Sequence, residues 1–96
     1  MPKGYIVGHV TVRNPEAYQE YVRLDTPIFE AFGGRFLVRG GASETVEGET
    51  FLRHVVIEFP DYAAAKACYS SREYQEVAEI RRANADSVIL LVEGVA

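Results

Sequence analysis

The stretch Ser87-Val88-Ile89-Leu90-Leu91-Val92-Glu93 sets five apolar residues in succession between polar ends. Successive side chains of a strand point to opposite faces, so a strand apolar at every position has partners on both sides. Three more segments read as strands. Tyr5 to Val12 sends Ile6, Val10 and Val12 one way, with Gly8 between them, and Tyr5, Val7, His9 and Thr11 the other. A second strand begins at Arg35, and a third covers Arg53 to Phe59. Helical stretches separate the first strand from the second and the third from the fourth. Two helices cover only one face of a four-stranded sheet. The other face needs a different partner, most simply a second copy of the chain.

The helix ends carry their own signals. Asn14-Pro15-Glu16 is a helix start: Asn14 accepts from a free amide, Pro15 suits the first turn, and Glu16 favours the positive end. Helix one then spaces Tyr18, Tyr21, Val22, Ile28, Phe29 and Phe32 largely by three and four. Pro27 predicts a kink or break near Leu24 to Thr26, and Gly33-Gly34 ends the helix. Asp61 is the expected cap of helix two. A capping box at Ser70-Ser71-Arg72-Glu73 predicts an interruption near Ser70, with a second piece running to about Ala83. Glu47-Gly48-Glu49-Thr50 predicts a hairpin turn that sets Val38 opposite Phe59 and Arg39 opposite Glu58, unless a bulge at Gly40-Gly41 shifts the pairing.

Two strand–helix–strand units joined by a hairpin make an α+β, ferredoxin-like βαββαβ plait. It is a four-stranded antiparallel sheet with both helices on one face and spatial order four-one-three-two. The 96 residues form one domain. A domain of this size buries roughly 60–65% of its unfolded surface, so burial in a homodimer adds stability. The composition, 48% hydrophobic and 25% charged, is that of a soluble globular protein. A formal net charge of -4 argues against nucleic acid as a partner, because no basic surplus displaces counterions. The single cysteine, Cys68, suits a reducing compartment, and no apolar run is long enough for a signal peptide or a membrane span. The expectation is a cytoplasmic protein that meets no membrane.

Several stretches are similar to one family pattern: Gly4-Tyr5, Gly33-Gly34-Arg35, Val38-Arg39-Gly40-Gly41, Val55-Val56-Ile57-Glu58-Phe59-Pro60, Tyr69-x-Ser71-x-Glu73-Tyr74-Gln75, and Arg81. Together they resemble the domain of unknown function 1330 family over essentially the whole chain, most specifically from Arg53 to Gln75. Cys68 departs from the pattern, where relatives often carry tryptophan. The resemblance implies a dimeric α/β barrel, the architecture shared by small cofactor-free monooxygenases and several ligand-binding domains.

The chemistry-bearing residues fall into small groups. His9 and His54 sit on adjacent strands and the same face, as candidate proton acceptors. Glu58 lies four residues from His54, roughly 13 Å along a strand, too far to share one ion, so no metal site is expected. Arg39 and Glu58 read as a cross-strand ion pair, or as an anion-holding arginine tuned by a carboxylate. Tyr69, Ser71 and Tyr74 flank the helix interruption, where a phenol and a hydroxyl reach a pocket mouth. Arg39, Gly40, Glu58, Tyr69, Ser71 and Tyr74 are therefore the expected ligand-binding set. Arg81 reads as solvated and Cys68 as a buried, inert thiol. No phosphate loop, nucleophile elbow or aromatic RNA-binding platform is present. The expected function is binding of a small anionic or carbonyl-bearing organic molecule between sheet and helices, with no cofactor. Two alternatives stand beside it: a non-catalytic dimer whose barrel is filled by side chains, and a cofactor-independent monooxygenase or proton-transfer enzyme.

Overall fold

In a computed structural model, which describes residues 2–96, the chain runs β1 (Gly4–Val12), α1 (Pro15–Ala31), β2 (Arg35–Arg39), β3 (Arg53–Phe59), α2 (Tyr62–Ser70), α3 (Arg72–Asn84) and β4 (Ala85–Glu93). All strand pairings are antiparallel, in the order β2-β3-β1-β4. This is the expected plait, with the second helical region divided in two. Asn14 caps α1 by accepting from the Ala17 amide at 3.3 Å, and Asp61 caps α2 by accepting from Ala64 at 2.8 Å. The interruption falls at Ser71, not Ser70. Ser71 Oγ accepts from the Tyr74 amide at 3.2 Å and donates to the Cys68 carbonyl at 2.8 Å, so one side chain ends α2 and starts α3.

Two local expectations are corrected. Helix α1 runs through Pro27 without a break. Tyr18 and Tyr21 before the proline and Phe29 after it are buried in one core. That packing offsets the ~3 kcal/mol that an interior proline costs. The second correction concerns the register of β2. There is no tight hairpin: residues 40–52 form a long connection, in which Gly48 takes a positive φ of 78°. Arg35 faces Glu58 and Phe36 faces Ile57. A bulge then intervenes, and Val38 faces Val56 while Arg39 faces Val55. Leu37 and Val38 both stay exposed, which returns Arg39 to the helix side. Neither the Arg39–Glu58 pair nor an inward Val38 exists.

The core lies between helices and sheet, built from Ile6, Val10, Ile57 and Phe59 below and Phe29, Ala65, Cys68, Tyr74 and Ala78 above. Across the sheet, Leu37, Val38, Val88, Leu90 and Val92 remain 43–46% exposed. The fold is α+β ferredoxin-like. Among the described residues, no helix is long and apolar enough to cross a membrane.

Candidate functional site: a charged cavity between sheet and helices

Tyr18, Tyr21, Asp25 and Phe29 recur at intervals of three and four on α1, so all four reach the same space above the sheet. Helix α3 contributes Tyr74 and Arg81, two turns apart. The bulge delivers Arg39 from β2, and Arg53 enters from the start of β3. These groups line a cavity floored by Ile6, Val10, Val55 and Ile57. The cavity volume is about 30 Å³, room for a small ligand.

Its polar groups form two sets. In one, Arg39 Nη2 donates to Thr26 Oγ1 at 2.6 Å, to Asp25 Oδ1 at 3.3 Å and to the Val22 carbonyl at 3.3 Å. Its guanidinium carbon sits 3.8 Å from the centre of the Phe36 ring. Thr26 Oγ1 also approaches Asp25 Oδ1, at 3.2 Å. Burial pushes the Asp25 carboxyl up to about 6, against the opposing pull of Arg39. In the other set, the Tyr21 and Tyr74 hydroxyls lie 2.7 Å apart, and burial raises both phenols above their ordinary range. Arg81, 4% exposed, donates through Nη1 to Ser87 Oγ at 2.5 Å. Arg53 lies 5.6 Å from the centre of the Tyr18 ring. The Nε atoms of Arg53 and Arg81 are buried without a hydrogen-bond partner. Three guanidinium groups thus share the cavity with one carboxylate.

Gly40 belongs to this construction. It takes a positive φ of 68°, and a Cβ there would overlap the Arg53 guanidinium, so glycine alone leaves Arg53 its place. Arg81 and Ile89 also border an open cleft that includes Phe51, Tyr69, Asp86 and Ser87. Arg81 therefore stands between the cleft and the inner cavity.

Of the residues expected from sequence, Arg39 and Tyr74 line the cavity and Gly40 adjoins it. Tyr69 lines the neighbouring cleft, its ring 5.5 Å from that of Tyr74. Ser71 is a helix cap. Glu58 lies on the opposite face, paired with Arg35 at 3.0 Å and accepting from the Tyr5 hydroxyl at 3.3 Å. His9 and His54 share that face, with Nδ1 atoms 2.9 Å apart. Among the described residues, no three His, Cys, Asp or Glu side chains cluster as metal ligands. Arg81 is buried rather than solvated. Cys68 is buried, and its thiol is pushed up to about 12 by that burial.

Sequence reasoning missed Tyr18, Tyr21, Asp25 and Arg53 as site residues. One signal was available. A carboxylate on the buried stripe of α1 is a buried charge, and such a charge requires a cationic partner.

Solved structures share the fold at low identity. A protein of unknown function from Rhodopseudomonas palustris superposes with a TM-score of 0.79 at 23% identity, over 99% of this chain and 84% of that one. SnoaB, a cofactor-independent oxygenase from Streptomyces nogalater, gives 0.69 at 17% identity, over 100% and 96%. A dimeric ferredoxin-like protein of unknown function from Jannaschia sp. CCS1 gives 0.68 at 13% identity, over 95% and 98%. No curated protein matches. The family model of the domain of unknown function DUF1330 matches residues 3–95, and the chain belongs to that family.

Proposed function

We propose that this protein is a homodimeric binder of a small organic anion, held in the cavity between sheet and helices. The observation that carries the reading is the pair of buried, unpartnered Nε atoms on Arg53 and Arg81. Arginine stays ionised at any physiological pH, and a buried N–H of such a cation left without an acceptor is costly. An anion with carboxylate or enolate oxygens satisfies both groups, in an aromatic-walled space suited to a planar molecule. The inner cavity, with Arg39 at its edge, supports binding over a purely structural dimer. The dimeric relative and the exposed apolar sheet face support pairing of two copies.

The test is thermal unfolding with acetate, pyruvate and benzoate, on the parent and on Arg81→Met. At 100 times the dissociation constant a ligand stabilises by about 2.7 kcal/mol. Arg81→Met should abolish that gain while leaving the unliganded protein folded. Equal stabilisation of parent and variant would sink the reading.

A further inference from the structure

Resting on that anion-binding reading, we propose that the cavity is a proton-transfer site for short 2-oxo acids, with Asp25 as the catalytic base. Both close contacts to the Asp25 carboxylate, from Arg39 and Thr26, fall on Oδ1. They hold the side chain, to which the Tyr21 hydroxyl also hydrogen-bonds, and Oδ2 makes neither the Arg39 nor the Thr26 contact. Asp25 is 4% exposed and borders the same cavity as Arg53 and Arg81. A carboxylate kept out of water is a stronger proton acceptor than one at the surface.

The number of buried arginine N–H groups without an acceptor points to the substrate class. A 2-oxo acid carries a carboxylate, and removing a proton from the carbon beside its ketone creates a second negative oxygen. Two buried arginine Nε–H groups without acceptors match one carboxylate and one enolate oxygen. In the step, the substrate C–H bond breaks and an O–H bond forms on Asp25 Oδ2. The C–H electron pair becomes the enolate C=C bond, and the carbonyl π pair moves onto oxygen, facing the arginines. Return of the proton to carbon or to the enolate oxygen completes exchange or enolisation, with no oxidant or cofactor.

Pyruvate is the probe, being anionic, enolisable and small. Its methyl protons are followed by NMR in deuterated buffer, while saturable shift changes report binding in the same tube. The parent should bind pyruvate and speed hydrogen–deuterium exchange above the buffer rate. Asp25→Asn should still bind and lose the acceleration by roughly 100-fold or more, the usual worth of a general base. Binding without acceleration, or acceleration unchanged in Asp25→Asn, overturns the base and leaves the anion site standing. Absence of any binding by pyruvate, acetate and benzoate removes both readings.

If Asp25→Asn does not fold, the pH profile of the parent decides. The groups facing Asp25 are Tyr18 and Tyr21 on its own helix, Arg39, Arg53 and Arg81, Tyr74 on α3 and Cys68 on α2. Burial keeps these phenols and the thiol protonated at neutral pH. Exchange should therefore rise as Asp25 ionises near pH 6 and level off above it. A profile flat through that range overturns the assignment.

Discussion

Arg39 Nη2 donates to Asp25 Oδ1 at 3.3 Å, tying the end of β2 to the middle of α1 across the cavity. The Asp25 side chain is 6% exposed and that of Arg39 30%, so the pair is held in place with little help from water. Burial nevertheless outweighs the attraction and leaves the carboxyl raised to about 6.

That balance gives stability a definite pH dependence. The folded chain keeps the Asp25 proton up to about pH 6, whereas an unfolded chain releases it near 3.8. The contribution is therefore complete below about pH 4 and is lost as pH rises through about 6, in total about 3 kcal/mol. Asp25→Asn lacks this term. Urea unfolding of both proteins from about pH 4 to about pH 7 should show the parent losing stability relative to the variant. A relative gain by the parent would mean that Arg39 dominates and the carboxylate is ionised throughout.

The 2.7 Å contact between the Tyr21 and Tyr74 hydroxyls predicts a second pattern. Tyr74→Phe leaves the Tyr21 hydroxyl buried without its partner and should cost about 1–3 kcal/mol. Replacing both by phenylalanine removes donor and acceptor together. The double variant should be less destabilised than the sum of the two single ones. Strict additivity in the cycle would show that the hydroxyls do not interact.

Gly40 should tolerate no side chain, although it lies at the start of a long exposed connection. Gly40→Ala has to adopt a positive φ and displace the Arg53 guanidinium, at a cost of about 1–3 kcal/mol. Gly41→Ala is the control, since nothing lies within 4 Å of a Cβ there. Similar stability of the two variants would mean that Arg53 does not occupy the space beneath Gly40.

How far the sequence carried the reading depends on the range of the interactions involved. Asn14, Asp61 and the alternation from Arg53 to Phe59 act over a few residues, and the structure follows them. The bulge at Leu37 left no local mark, because Phe36, Leu37 and Val38 are all apolar and suit either face. That one inserted residue moved Arg39 from the side of Glu58 to the side of Asp25, and with it the centre of the site. Arg53 and Arg81 were equally opaque. An arginine at a strand start or on a helix reads as solvated until the fold closes around it. His9 and His54 were placed correctly beside each other, on the face opposite the cavity.

The last prediction concerns that opposite face. Leu37, Val38, Val88, Leu90 and Val92 form an exposed apolar surface on strands whose other side is already packed. Half-buried Val56 and Val7 on the two inner strands join these edge-strand residues in the row Val38–Val56–Val7–Leu90, and a contiguous apolar set across a sheet marks an interface. In a two-fold dimer each residue enters the interface twice, so one charged substitution per chain buries two like charges. Leu90 faces Val7 across the β1–β4 pairing, midway along the edge strand β4. Leu90→Lys should therefore yield a folded monomer where the parent is a dimer at micromolar concentration. Sedimentation equilibrium measures the mass, and circular dichroism checks that the variant keeps its helices. Val95→Lys, at a position 97% exposed and beyond the last strand, should leave the parent assembly unchanged. A parent that sediments only as monomer would remove the sheet-to-sheet pairing. A Leu90→Lys dimer of undiminished affinity would place the interface elsewhere on the molecule.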